Sequence, residues 1–253
     1  MIRSLEVLFT PAEFNALRER DLTASTCVVF DILRATSVML AALAAGAEAI
    51  IPVSEIGEAL DVKRAHPAVL LGGERDGVRI TSALTDGTDF DLGNSPREYT
   101  SERVAGKVIV STTTNGTRAL RACMGAREVL AAAFLNLTAT AEWLVKHDAK
   151  DLILVCSGSH ERAAYEDVLA AGALCDALAS RGDTEGFADS THIARQVYLT
   201  EQSDLLGAMR HSWNARRLLS LPELRDDVAF CLRRDAFNFT ANLNAAGRVV
   251  LNR

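Results

Sequence analysis

From Leu5 to about Ser180 the chain alternates short apolar runs with segments of helical periodicity. The apolar runs predict strands at Leu5–Phe9, Thr26–Phe30, Ala49–Val53, Val69–Leu71, Val108–Val110, Glu128–Ala131 and Leu152–Val155. Between them the pattern predicts helices over Ala35–Ala45, from Ser54 as cap to about Ala65, after Thr114, over Ala139–His147 and over Ala163–Ser180, the longest. Thr10-Pro11-Ala12-Glu13 carries a capping hydroxyl, a proline at the first helical position and an acid three residues after the cap. The strand at Val69 is expected to break at Gly72-Gly73, and residues 76–106 read as an irregular excursion rich in Gly, Asp, Asn, Ser and Pro. Beyond Gly182 the alternation weakens; polar helices are expected over 190–220, and Val249–Leu251 as a final edge strand. Strands alternating with helices through short turns predict a three-layer α/β/α sandwich on a sheet that is mostly parallel, with a mixed sheet as the alternative. A single domain over 1–253 is the expectation, with a small subdomain at 183–253 as the alternative.

Composition narrows the function classes. The 253 residues are 49% hydrophobic, enough for a sizeable core, and the net charge is −6, from 27 Lys+Arg and 33 Asp+Glu. An acidic chain with no basic run offers no footprint for nucleic acid or an anionic membrane, so an anion must be bound by local groups. No signal-peptide pattern follows Met1-Ile2-Arg3, and Val38–Ala45 is too short to span a bilayer. Five scattered cysteines without a CxxC pair predict reduced thiols and a cytoplasmic protein. The five histidines form no HExxH or i, i+4 pair, which argues against zinc. A homodimer is the default assembly.

In an open α/β sheet, ligands bind beyond the carboxyl ends of the strands, and these ends are unusually polar here. They carry Asp31 with Arg34, Gly73-Glu74-Arg75, Asn94-Ser95-Pro96, Ser111-Thr112-Thr113-Thr114-Asn115-Gly116-Thr117, Asn136, Ser157, and Glu166-Asp167. Hydroxyls and amides at a helix start suit an anion such as phosphate, and arginines grip its oxygens in pairs. Asp31, Glu74, Glu166 and Asp167 are hard oxygen donors of the kind that hold Mg²⁺ together with a substrate phosphate. Each has a plainer reading: Asp31 as a helix cap, Glu74 paired with Arg75, Glu166-Asp167 as complements to a helix dipole, Gly172 as a packing glycine. The Ser111–Thr117 cluster is harder to explain as structure alone, because seven small or polar residues after an apolar strand do not build core. Neither GxxxxGK followed by Ser or Thr, nor GxGxxG, DxD at Asp31 or GxSxG at Ser157 is present.

Taken in order, Asp31-Ile32-Leu33-Arg34-Ala35-Thr36, Gly73-Glu74-Arg75, Leu92-Gly93-Asn94-Ser95-Pro96, Thr113-Thr114-Asn115-Gly116-Thr117 and Glu166-Asp167 through Gly172 resemble the 2-phosphosulfolactate phosphatase family. The match runs from about residue 24 to 175 and continues weakly through Asp227-Val228 and Cys231 to Asp235. The resemblance implies Mg²⁺-dependent hydrolysis of 2-phosphosulfolactate to sulfolactate and phosphate, a step towards coenzyme M. It implies Asp31, Arg34, Glu74, Arg75, Glu166 and Asp167 as catalytic, with metal on Asp31, Glu74, Glu166 and Asp167. Substrate is then expected at Asn94, Ser95, Thr113, Thr114, Asn115, Gly116, Asn136 and Ser157. Phe237-Asn238-Phe239 and the charged Ser159-His160-Glu161-Arg162 depart from the family pattern, and the latter bears on substrate preference. The rival functions are a phosphatase for another phosphorylated 2-hydroxy acid and a non-catalytic anion-binding module; four potential carboxylate ligands argue against the binder.

Overall fold

The computed structural model describes residues 2–85, 87–182 and 185–252; residues 183 and 184, where the alternative domain boundary would fall, lie outside that range. In chain order the strands are β1 (Ser4–Leu8), β2 (Ser25–Phe30), β3 (Ala49–Val53), β4 (Leu70–Arg75), β5 (Val78–Arg79), β6 (Val108–Thr112), β7 (Glu128–Ala132), β8 (Asp151–Cys156), β9 (Thr240–Leu243) and β10 (Val249–Asn252). The α-helices are α1 (Pro11–Asn15), α2 (Ala35–Ala44), α3 (Ile56–Ala65), α4 (Ser101–Val104), α5 (Gly116–Ala122) and α6 (Leu137–Lys146). They continue as α7 (Tyr165–Ala179), α8 (Asp189–Glu201), α9 (Leu205–Ala208), α10 (Trp213–Leu219) and α11 (Arg225–Cys231). Seven of the expected strands are present within a residue or two, because each is an apolar run with both faces covered, as in a buried parallel sheet.

The sheet order is β1-β8-β2-β7-β9-β10-β3-β6-β4-β5. β1, β8, β2 and β7 are mutually parallel, as are β3, β6 and β4. Between the two groups lies the β9–β10 hairpin, antiparallel to β7 on one side and to β3 on the other. The expected edge strand at Val249 is therefore internal: β10 sits between β9 and β3, and it closes the sheet rather than ending it. Helices cover the sheet in an α/β/α arrangement, with α7 against β8 and β2, α2 against β7 and β10, and α3 against β3, β4 and β6. α5, which follows β6, reaches across to β2, so the two strand groups share a helix at their junction.

Two further expectations are corrected. The fourth strand does not break at Gly72-Gly73 but runs on to Arg75, because both glycines stay in register with Ser111 and Thr112 of β6. The cap of α3 is Glu55 rather than Ser54, whose N–H instead donates to Glu58 at 3.4 Å. The Thr10 site behaves as expected at one end: Glu13 accepts from the Thr10 N–H at 2.8 Å and the Phe9 N–H at 2.9 Å.

Gly172 is a packing glycine. A methyl group there would meet the Ala194 carbonyl oxygen of α8 at 2.1 Å and the Tyr198 Cβ at 2.9 Å, so the two helix backbones approach as closely as glycine permits. Gly172→Ala is expected to lower stability by about 1–3 kcal/mol, since one added carbon must push α8 off α7. Urea unfolding measures it; a variant as stable as the parent would mean that α8 yields without cost.

Candidate active site

The carboxyl ends of β2, β4 and β6, drawn from both strand groups, border one cleft with a volume of about 70 Å³. Asp31, Arg34, Glu74, Asn94, Thr113, Thr114 and Asn115 line it on the side formed by these strand ends. Trp213, Asn214, Arg217, Leu218 and Leu221 form another wall, from α10 and the turn beyond it. Ser159 and His160, in the turn after β8, complete the rim.

The hairpin of β4 and β5 shapes one side. Asp76 (φ 53°) and Gly77 (φ 74°) form its two-residue turn, the backbone combination that Asp-Gly sequences favour. Glu74, at the end of β4, accepts the Gly77 N–H at 2.6 Å on one oxygen and the Thr114 N–H and hydroxyl at 2.8 and 2.9 Å on the other. One carboxylate thus holds the hairpin to the Thr113–Asn115 turn. Asp31 follows β2, and its Oδ1 accepts the Ala35 N–H at 3.0 Å at the start of α2. Gly116 belongs to this contact, because a Cβ there would lie 2.6 Å from the Asp31 Oδ2. The expected substrate residue Gly116 is therefore the space that Asp31 occupies.

Arg34 is buried, and both its terminal nitrogens are engaged: one with Asp227 at 2.8 Å, the other with the Gly77 carbonyl at 2.7 Å. Asp227, in α11 and fully buried, also accepts from the Ser95 hydroxyl at 2.7 Å and from Arg97 at 2.9 Å. Ser95 is thus a partner of the ion pair, while Asn94 next to it reaches the cleft.

Glu166 and Asp167 are adjacent in α7 but face different neighbours, as positions about 100° apart on a helix must. Glu166 accepts from Ser212 at 2.6 Å and Asn214 at 2.7 Å, and it borders a second pocket that shares Ser159, His160, Trp213 and Asn214 with the first. Asp167 accepts from the Ile32 N–H at 2.8 Å, the Ser157 hydroxyl at 3.0 Å and the Gly158 N–H at 3.2 Å. It ties the turn after β2 to the turn after β8 and lies behind the cleft.

Burial, reinforced by the charges of Glu74 and Glu166, raises the Asp31 carboxyl from its ordinary 3.8 to about 6 against the pull of the Ala35 N–H and the Ser157 hydroxyl. Burial raises Glu166 as well, and raises Asp167 well above its ordinary value, with Glu166 and Asp31 adding to it. The Ser157 hydroxyl bears on both Asp31 and Asp167 but has one proton to give, and the geometry gives it to Asp167.

Two expected site residues lie elsewhere. Arg75 alternates to the other face of β4 from Glu74, where its guanidinium donates to the Glu74 carbonyl at 2.7 Å, the Ser54 carbonyl at 3.2 Å and the Thr112 hydroxyl at 3.0 Å. Asn136 is fully buried in the turn before α6: it accepts the Ala133 N–H at 3.0 Å and donates to the Phe239 carbonyl at 3.3 Å. Conversely, sequence reasoning did not single out Asp76, Arg97, Ser212, Trp213, Asn214 or Arg217, and gave Asp227 no role. Two signals were present: Asp76-Gly77 between extended residues marks a hairpin, and Ser212 before a helical stretch marks a cap.

Among the described residues no three His, Cys, Asp or Glu side chains are grouped as a ready metal cage. Mg²⁺ keeps most of its waters and needs only one or two carboxylates plus substrate phosphate. Asp31, with Glu74 beside it in the cleft, fits this requirement, and a carboxyl whose ionised form is penalised by its acidic neighbours gains from a cation. Asp167, with both oxygens turned to the backbone and Ser157, does not face the cleft.

The family profile described as 2-phosphosulpholactate phosphatase matches residues 12–245. A protein of Caldanaerobacter subterraneus subsp. tengcongensis named probable 2-phosphosulfolactate phosphatase is 38% identical over 238 residues, 93% of this chain and 95% of its own. Proteins of the same name are 40% identical in Thermotoga maritima (84% of this chain, 86% of that one) and 41% identical in Synechococcus sp. (82% and 84%). The polar strand ends that converge on Asp31 and Glu74 thus lie within a match spanning nearly the whole chain, and the chain belongs to the 2-phosphosulpholactate phosphatase family of phosphoric monoester hydrolases.

Proposed function

We propose that this protein is a Mg²⁺-dependent phosphatase that hydrolyses 2-phosphosulfolactate to sulfolactate and phosphate. The observation that carries the reading is the convergence of Asp31, Glu74 and the Thr113–Asn115 turn on one cleft beside Arg34, in a chain of this family. Asp31, assisted by Glu74, would hold the Mg²⁺, which supplies neutralisation of the phosphate oxygens as charge develops on them. The Thr113 and Asn115 side chains border the same space and can donate to phosphate oxygens. Arg34 brings positive charge to the cleft, although Asp227 offsets much of it. Asp167 keeps the Asp31 turn in place through the Ile32 N–H. A carboxylate poised near pH 6 is ionised at neutral pH, as either a metal ligand or a proton acceptor from the attacking water must be. The five cysteines are buried and unpaired, in keeping with the reduced thiols of a cytoplasmic enzyme, and among the described residues no helix is long and apolar enough to cross a membrane.

The first test is phosphate release from phosphosulfolactate, phospholactate and phosphoglycolate, with Mg²⁺ and with EDTA. Release that is fastest on phosphosulfolactate and stops on chelation is expected; equal release in EDTA would remove the metal from the reading, and preference for another ester would reassign the substrate.

Asp31→Asn gives a second, two-sided prediction. Activity should fall about 10³-fold, the scale of a lost acid–base or charge-stabilising group. Stability should move the other way. A carboxyl raised in the folded state costs nothing below its unfolded value of 3.8, and its cost grows as pH rises to about 6 and is full above it. At 1.36 kcal/mol per unit this amounts to about 3 kcal/mol. In the absence of Mg²⁺ the variant should therefore be more stable than the parent at pH 8, the gap closing towards pH 4. Thermal unfolding across that range reads it, and a variant less stable at pH 8 would show that Asp31 is a structural cap.

A further inference from the structure

The cleft holds a second recognition element outside the motifs of the strand ends. Two arginines line the cleft, Arg34 and Arg217, and they grip consecutive carbonyls of the same hairpin turn. Arg34 donates to Gly77 at 2.7 Å and Arg217 donates to Asp76, so the two guanidinium groups are held against one dipeptide. A Cβ on Gly77 would be only 3.7 Å from the Arg217 guanidinium carbon. Their charges are not equivalent. Arg34 has Asp227 at 2.8 Å, whereas Arg217 pairs with no carboxylate among the described residues.

The surroundings of Arg217 hold it in place without neutralising it. Its guanidinium lies over the Trp213 ring, 5.7 Å from the centroid, and Trp213 is 49% exposed at the rim. The helix carrying both, α10, is fixed at its start: the Ser212 hydroxyl accepts the Ala215 N–H at 2.9 Å and donates to Glu166 at 2.6 Å, and Asn214 donates to Glu166 at 2.7 Å. Glu166 thus acts on the cleft through α10. With one backbone carbonyl engaged, Arg217 keeps donors free, and a planar fork over an aromatic ring suits the paired oxygens of an oxyanion.

We propose that Arg217 is the specificity-determining residue that binds the second anionic group of the substrate, the carboxylate or sulfonate borne by the phosphorylated carbon skeleton, while the strand-end residues bind the phosphate. This rests on the reading of the chain as a phosphatase for such an ester. It also reassigns the positive charge that the sequence attributed to Arg75, which faces away.

The test pairs binding with turnover on the full-length protein, using Arg217→Met. Calorimetry with sulfolactate, which lacks the phosphate, is expected to show binding to the parent and a loss of about 10- to 100-fold in the variant, the scale of a charge-assisted pair. In turnover, the preference for phosphosulfolactate over p-nitrophenyl phosphate should fall by about the same factor. Phospholactate and the phosphate ester of isethionate separate the sources, since only the ester whose acidic group meets Arg217 loses the preference. Arg216→Met, on the same helix but bonded to the Arg210 carbonyl at 2.7 Å, should keep it. Equal sulfolactate binding by parent and variant, no binding by the parent, or an equal fall on all four esters would overturn the assignment. If sulfolactate binds through Arg217 but no ester is hydrolysed, the assignment stands and the phosphatase reading fails.

Discussion

Three acidic side chains held out of water within one another's field, Asp31, Glu166 and Asp167, set the terms for the rest of this site. Removing a carboxylate from water is costly unless donors replace the lost hydration. Here the donors come from the segments that form the rim: the Ala35 N–H for Asp31, Ser212 and Asn214 for Glu166, and Ile32, Ser157 and Gly158 for Asp167. Satisfying the acids and placing the loops are one requirement. A penalty remains on all three; Asp31 is the member that faces the cleft, and a group left destabilised in the free protein is one that a bound cation can stabilise.

A second constraint joins the ends of the chain. The Arg34–Asp227 pair links the turn after β2 to α11, with both side chains almost fully buried and with Ser95 and Arg97 satisfying the other carboxylate oxygen. Such a pair adds little stability over an apolar pair of the same shape, but it tolerates the loss of neither member, since the survivor is a buried charge without a partner. Its value is positional. It holds the C-terminal helices against a cleft whose strand-end lining, Asp31 to Asn115, comes from the first half of the chain, and the β9–β10 hairpin, set between the two parallel groups, does the same for the sheet.

What could be read from the sequence follows from how local each signal is. The apolar strands declare themselves, and polar residues at their carboxyl ends have few structural uses, so Asp31, Glu74, Asn94 and Thr113–Asn115 stood out and do share a cleft. Arg75 did not need a structure to be placed: once β4 is extended through Gly72-Gly73, period-two alternation puts Glu74 and Arg75 on opposite faces. Ending the strand at Leu71 hid that. The position of β10 was not legible, because pairing with β3 across about two hundred residues leaves no trace in a short apolar run. Nor was Arg217, one of two adjacent arginines in α10, which only the fold sets apart from Arg216 by bringing it to the cleft and to the Asp76 carbonyl.

These features divide the cleft by chemistry. The strand ends supply acids, hydroxyls and amides, groups suited to a phosphate and a divalent cation. α10 supplies a guanidinium on an aromatic ring with Leu218 and Leu221 beside it, groups that read a compact second anion and exclude water. The Asp76-Gly77 turn is where the two sets meet, since it bonds Glu74, Arg34 and Arg217 at once. A substitution in that turn would disturb both sets together, whereas a change at Trp213, exposed at the rim, touches the α10 side alone. The acidic centre and the α10 wall are in turn joined by Glu166, which accepts from both Ser212 and Asn214, so the two sides of the cleft are positioned by one another.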